Sequence, residues 1–204
     1  MNKSGIFLET VLNKTFVSLF QGKQVIETKY SLLDFKSDNT YVYDISIVLK
    51  KHSLSITSID ELIVVNGPGY FTGIRSGIII SKAFFYASGL KVAIIDSFTF
   101  LRRCTKWDSD CGILISTSKK GCYLGYFKGF NKEKEVLISL DDIPKVKEEV
   151  KIFTESSCLS STYLIDSIEP QPVLDFDYEF AKTIDEIKPF YMRSEESLFK
   201  KSAR

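Results

Sequence analysis

Side chains capable of covalent or metal chemistry are sparse in this chain. There is one histidine, His52, and four cysteines, Cys104, Cys111, Cys122 and Cys158, with no CxxC pair among them. Zinc sites draw on closely spaced Cys and His ligands, so these spacings argue against one. No nucleophile stands beside a base in a pattern suited to covalent catalysis. The most distinctive feature is instead a turn, Gly67-Pro68-Gly69. Proline fixes its own φ and a glycine on either side tolerates positive φ, so the backbone can reverse there and pass close to another surface.

Two apolar elements flank that turn. Residues 62–65 are a continuous aliphatic run, which suits a central strand covered on both faces. Thr72 is the expected N-cap of a helix ending near Ala87, with Gly89 just beyond as its C′ residue. At ~100° per residue, Gly73, Gly77, Ile80, Phe84 and Ala87 share one side, and Ile74, Ile78 and Phe85 the next. Ile79 and Tyr86 fall beside Arg75 and Lys82. No broad polar face remains, so this helix is covered by its own sheet and by something else. Gly73, Gly77 and Ser81 form a strip of small residues along which another backbone can approach. Two readings stay open: a central core helix, or a helix that gives one face to a partner.

Residues 5–9, 15–20 and 24–29 read as an N-terminal meander, with Gln21-Gly22-Lys23 as its second turn. The polar cluster Lys36-Ser37-Asp38-Asn39 precedes a helix over residues 40–52. Tyr41, Val42, Ile45, Val48 and Leu49 form its core face, while Tyr43 and Ile47 point the opposite way. His52, at its end, is expected to act as a partner of the helix dipole. Residues 91–95 predict another buried strand, and Ser97 caps a helix over 97–104, completing a parallel strand-helix-strand unit. Residues 112–116 and 123–127 then pair as a hairpin around Ser118-Lys119-Lys120-Gly121. Further on, 135–140, 151–154 and 162–166 are strand candidates, and 142–149 is a charged helix interrupted early by Pro144. Glu169-Pro170-Gln171-Pro172 breaks the chain, a short helix is predicted near 178–183, and 194–204 is a polar, basic tail expected to be mobile.

With 204 residues, 44% hydrophobic and 26% charged, and a formal net charge of +1, the composition is that of an ordinary globular protein. That balance excludes a disordered tail-like chain and a general polyanion-binding surface. No run approaches ~20 apolar residues, and the first residues are too short in apolar run for a signal peptide. A cytoplasmic, reducing compartment with four free thiols is expected, and no membrane association.

Nine consecutive residues, Gly67-Pro68-Gly69-Tyr70-Phe71-Thr72-Gly73-Ile74-Arg75, resemble the signature of the bacterial TsaB (YeaZ) family. That family supplies the dimerisation subunit of the tRNA threonylcarbamoyladenosine machinery. Ile187-Lys188-Pro189-Phe190-Tyr191-Met192-Arg193 resembles the family's closing segment, and the likeness is clear over residues 5–101 and patchy afterwards. The resemblance implies an α/β chain of the actin-like, ribonuclease-H-like (ASKHA) fold, a mixed sheet with helices and a shortened second lobe. On this reading residues 1–101 form the N-terminal lobe, 102–193 a smaller C-terminal lobe and 194–204 the tail.

The family's first strand ends in a phosphate-facing Asp-Thr-Ser, where this chain has Glu9-Thr10-Val11. Valine removes a hydroxyl that could bond phosphate or metal-bound water, so nucleotide binding at this loop is placed in doubt. The plain alternative is a solvent-facing strand end with no ligand. Where the family has Asp-Ala-Arg-Arg-Gly, this chain has Thr117-Ser118-Lys119-Lys120-Gly121. A second carboxylate facing Glu9 across a nucleotide cleft is therefore missing from the pattern. With one histidine, the HxxxH metal-binding pattern of the catalytic paralogue cannot exist either, which argues against protease and transferase activity alike.

The resemblance thus implies a non-catalytic subunit without a cofactor of its own. It would dock on the transferase TsaD as a heterodimer and help recruit the ATPase TsaE for threonylcarbamoylation of the tRNA adenosine next to the anticodon. Contact with tRNA would come only through the complex. The docking set is Tyr43, Ile47, Phe71, Arg75, Ile78, Ile79, Lys82 and Tyr86, with the Gly73, Gly77, Ser81 strip turned toward the protein's own core. A homodimer of the free chain and a nucleotide at a partner interface stay open. The competing reading is a nucleotide-dependent phosphotransferase or ATPase of the same fold, with Glu9, Thr10, Gly67 and Gly69 as phosphate and metal groups.

Overall fold

A computed structural model describes residues 3–32, 40–118, 121–156 and 162–192, except for the side chains of Leu32, Thr117 and Ser118. The Lys36 to Asn39 cluster, Lys119, Lys120, Cys158, Arg193 and the tail over 194–204 lie outside the described residues.

The first sheet begins with the predicted meander. Strands β1 (Ser4–Glu9), β2 (Lys14–Gln21) and β3 (Gln24–Leu32) are joined by short turns and pair antiparallel. β4 (Glu61–Val65) and β5 (Lys91–Ile95) then add parallel to β1, in the order β3-β2-β1-β4-β5. The connections to β4 and β5 are helical: α1 (Tyr41–Lys51) leads into β4, and α2 (Phe71–Ser88) joins β4 to β5.

Register decides where the helices lie. Side chains alternate along a strand, so Glu27, Lys29 and Ser31 of β3 share a face with their partners Leu19, Val17 and Thr15. On that face Lys29 and Ser31 reach Asp44 of α1, at 2.9 Å and 3.0 Å. The same face continues through Leu8 to Val64, which packs beneath Gly77 of α2. Both helices therefore cover one face of the first sheet. The opposite face carries Phe7 and Phe16, whose rings meet Phe100 of a third helix, α3 (Ser97–Cys104), at 5.3 Å and 6.1 Å. Each phenylalanine fully buried here is worth about 1.5–3 kcal/mol relative to exposure.

The second sheet has the order β10-β9-β6-β7-β8. It comprises β6 (Cys111–Ser118), β7 (Gly121–Lys128), β8 (Asn131–Ser139), β9 (Ile152–Thr154) and β10 (Tyr163–Leu164). Ile113, Ile115, Tyr123 and Phe127 join the core that contains α3 and the first sheet. Leu114, Cys122, Leu124 and Ile152 form a smaller core with Ile143 and Val146 of α4 (Ile143–Glu149). Pro144 begins that helix rather than interrupting it, since its missing N–H falls among the unpaired first-turn donors. Cys104, Cys111 and Cys122 are buried free thiols.

Several other expectations are corrected. Helix α1 turns Tyr41, Asp44, Ile45, Val48 and Leu49 inward and leaves Val42 55% exposed, because Lys29 neutralises the buried Asp44 carboxylate. His52 donates its backbone N–H to the end of α1, while its ring meets Glu27 at 2.6 Å. Helix α2 starts at Phe71, with Tyr70 rather than Thr72 at the N-cap, and ends on Gly89 at φ +66°. Helix α3 is capped by Asp96, which accepts from the Thr99 amide at 3.1 Å.

Residues 178–183 are not helical. Phe180 bridges to Ala93 and the Ala181 amide donates to the Val92 carbonyl at 2.8 Å, so this segment covers the outer edge of β5. An edge strand with unpaired backbone groups outweighs a weak helical pattern. The chain then returns to the first sheet: Asn66 Nδ2 donates to Lys188 O at 3.1 Å, and the Phe190 amide to Asn66 O at 2.8 Å.

Candidate docking surface

The turn before α2 is positioned from three sides. Gly67 has φ +115°, a conformation in which a side chain would be strained, and its carbonyl accepts from the Ser97 amide at 2.8 Å. The Tyr70 amide donates to Val11 O at 2.8 Å, tying the turn to the loop after β1. Helix α2 then runs so close to that loop that a methyl group at Gly73 would sit 1.8 Å from Thr10 O. One at Gly77 would meet Thr10 Oγ1 at 2.7 Å. Thr10 Oγ1 donates to Gly73 O at 2.8 Å, which uses the intimacy the glycines allow. The small-residue strip thus faces the protein's own sheet.

The outward side is the consequence. Tyr86 is 86% exposed, Ile79 66% and Tyr43 65%, with Ile47 and Lys82 half-buried. Since α1 and α2 cover the same face of the sheet, these side chains belong to one outer layer, and Val42 adds to it. Ile78 does not: at 6% exposure it is part of the core. Phe71 and Arg75 stand at the start of α2. The Phe71 ring packs on Tyr191 at 5.4 Å, and the Arg75 guanidinium lies 4.2 Å from the Phe71 centroid.

The Glu9-Thr10-Val11 loop is not a solvent-facing strand end. All three residues are fully buried. Glu9 Oε1 accepts from the amides of Val11 and Leu12, the second at 2.8 Å. Those are the donors a phosphate would seek at such a turn, and they are already engaged by the loop's own carboxyl. Burial pushes the Glu9 pKa up to about 8, against the lowering effect of the two amides and with a further rise from Glu155. At neutral pH the group is mostly the neutral acid.

Glu155, just after β9, is a second carboxyl whose charge acts on Glu9. It comes from the second sheet rather than from the β6–β7 hairpin, and burial raises its pKa too, while Asn13 hydrogen bonds lower it. Among the described residues, the buried side-chain atoms without a partner are Glu9 Oε2, Asn66 Oδ1, Ser97 Oγ and Glu155 Oε2. They sit at or just beyond the carboxyl ends of β1, β4, β5 and β9. No local pattern in the sequence singles out Glu155. Gly67 and Gly69 meet neighbouring backbone there: a methyl group at Gly69 would lie 2.5 Å from Val11 O. Among the described residues no group of three or more His, Cys, Asp or Glu is placed to hold a metal ion. No helix among them is long and apolar enough to cross a membrane.

Comparison with known proteins places this geometry. The crystal structure of an uncharacterized protein with similarity to peptidase YEAZ from Pseudomonas aeruginosa superposes with a TM-score of 0.72 at 14% identity. The match covers 94% of this chain and 100% of that one. YeaZ from Pseudomonas aeruginosa gives 0.69 at 12% identity, over 93% of this chain and 100% of its own. At such identities the likeness establishes the fold: mixed α/β, of the actin-like, ribonuclease-H-like (ASKHA) class, with two open sheets. No curated protein matches the sequence. A family model described as "TsaD: tRNA N6-adenosine threonylcarbamoyltransferase" matches residues 45–180, two-thirds of the chain, and the chain belongs to that family.

Proposed function

We propose that this chain is a non-catalytic, TsaB (YeaZ)-type subunit that docks through the outer faces of α1 and α2 on a TsaD homologue. In the assembled complex it helps recruit a TsaE-type ATPase, for threonylcarbamoylation of the tRNA adenosine next to the anticodon. Residues 1–101 are the docking lobe and 102–193 the smaller lobe behind it. The observation that carries this reading is the outward layer of Val42, Tyr43, Ile79 and Tyr86, large apolar side chains on two helices of one face. Large apolar side chains exposed on one side of a protein mark a partner site, and tyrosine is enriched among the residues that dominate such interfaces.

The matching family model is described as the transferase itself. The residues of this chain favour the partner of that enzyme. Its single histidine is tied to Glu27 at the end of α1, away from the strand ends where a ligand of this fold would lie. The amides of the first loop are engaged by Glu9, which also disfavours the phosphotransferase or ATPase reading.

The test is co-expression with the TsaD homologue of the same cell. A stoichiometric complex that survives purification is expected, together with no magnesium-dependent ATP hydrolysis by the chain alone. Failure to associate, or ATP turnover abolished by Glu9→Ala, would overturn the reading.

A further inference from the structure

Away from the α1/α2 face lies a feature that neither the fold nor the docking reading uses. Three aromatic rings surround a single ammonium. Lys151 Nζ is 3.7 Å from the Trp107 centroid, 4.2 Å from that of Tyr163 and 5.2 Å from that of Phe153. The rings also pack on one another, Trp107 to Phe153 at 6.1 Å and Phe153 to Tyr163 at 5.7 Å. They come from three segments, the loop after α3, β9 and β10. Trp107 is fixed without help from the lysine. The buried Arg102 guanidinium donates to its carbonyl, its amide donates to Thr105 Oγ1 at 3.3 Å, and its indole N–H donates to Asp110 O at 3.4 Å. The box is therefore organised by the fold, and it opens to solvent through Tyr163, which is 55% exposed.

Ring faces attract cations through their quadrupoles, and a box of aromatic faces selects for a cation that loses little on leaving water. A lysine ammonium is compact and strongly hydrated, so it gives up hydrogen bonds to sit among rings. A quaternary ammonium has no N–H to satisfy, is weakly hydrated and offers a methyl group to each ring. Asp108 and Asp110, both exposed, follow Trp107 in its loop, where Lys106 precedes it, so two carboxylates against one ammonium favour a positive guest over a phosphate-bearing strand.

We propose that Trp107, Phe153 and Tyr163 form a binding site for a quaternary ammonium head group, and that Lys151 is its resident plug. Entry of the head group returns the lysine ammonium to water, and no covalent step is involved.

Trp107 is the only tryptophan in the chain, so its fluorescence reports on this box. The full chain is titrated with tetramethylammonium chloride, beside sodium chloride at matched ionic strength and tert-butanol as a neutral isostere. Wild type is expected to give a saturable change with tetramethylammonium alone. Lys151→Gln and Lys151→Ala, which remove the plug and keep the rings, should bind at least tenfold more tightly, and Tyr163→Ala should lose the response. Choline and a trimethyllysine amide titrated in parallel show by their relative affinities whether a small ligand or a modified lysine is the better source of the head group. Thermal melts of each variant identify any that fail to fold, and the wild-type comparison of tetramethylammonium with tert-butanol stands without them. A wild-type response no different from that to tert-butanol or salt overturns the proposal, as does equal affinity in wild type and a folded Lys151 variant.

Discussion

The inner and outer sides of α2 are made for opposite purposes from neighbouring residues. On the inner side Gly73, Gly77 and Ser81 bring the helix backbone against Thr10 and Val64, so closely that no side chain fits between. On the outer side Ile79 and Tyr86 are largely exposed among the described residues. Ile74 and Ile78 supply buried bulk beside that strip, but the exposed side carries large apolar residues where the usual amphipathic helix has a polar stripe. The contrast teaches that apolarity alone does not say which side of a helix is the core. A strip of small residues does, where a neighbouring loop approaches at backbone distance.

Substitutions on the inner side should be the most damaging. Gly73→Leu drives a branched side chain into the Thr10 carbonyl, where neither backbone can yield, and should destabilise by about 3 kcal/mol or more. For a chain of this length that is a fall of roughly 6–12 °C in melting temperature. A Gly73→Leu protein that melts like wild type would break the inner half of the comparison. Ile78→Ala sharpens the boundary between the sides. Ile78 was expected on the docking surface, but it lies in the core, so truncation should cost about 2–5 kcal/mol of stability. Thermal melts distinguish this from the near-neutral result an exposed residue would give.

The loop that the glycines press against carries its own pH signature. In the unfolded chain Glu9 titrates near 4.5, and in the folded protein its pKa is pushed up to about 8 by burial. Between those values the folded state holds a proton that the unfolded state has released. The contribution of Glu9 is therefore fully favourable below pH 4.5 and is lost as pH rises through the folded value. Melting temperature should fall from pH 5 to 8, by no more than the equivalent of about 5 kcal/mol. Glu9→Gln, an isostere of the neutral acid, should flatten that fall and make the protein more stable than wild type at pH 8. An unchanged slope in Glu9→Gln would remove Glu9 as its source. The smallest stability effect belongs to the outer side, where Ile79→Ala and Tyr86→Ala should shift stability by no more than about 0.5 kcal/mol.

Much of the first sheet and its helices was legible in the sequence because each element there carries a strong local pattern. The meander, the aliphatic runs of β4 and β5 and the Gly67-Pro68-Gly69 turn announce themselves without knowledge of their neighbours. The inward strip of α2 was legible for the same reason, since residue size four apart is a local property. What escaped depends on distant partners. Asp44 faces inward to pair with Lys29 of the preceding strand β3, and in that orientation of α1 Val42 points out. Residues 178–183 are extended because β5 has an open edge, which a reading of that segment alone cannot see. Glu155 reaches Glu9 from the second sheet across more than a hundred residues of chain, and its effect on the pKa of Glu9 has no local signal at all.

The outer sides of α1 and α2 are proposed as the docking surface for a TsaD homologue. The most direct measurement is the affinity of wild type and Tyr86→Ala for that homologue, by calorimetric titration, with the melting temperature of each measured alongside. Truncating an interface anchor typically costs about 1–2 kcal/mol or more of binding, so affinity weakened about tenfold or more with melting unchanged is expected. A Tyr86→Ala protein that binds as tightly as wild type, or a wild type that does not bind at all, would contradict it.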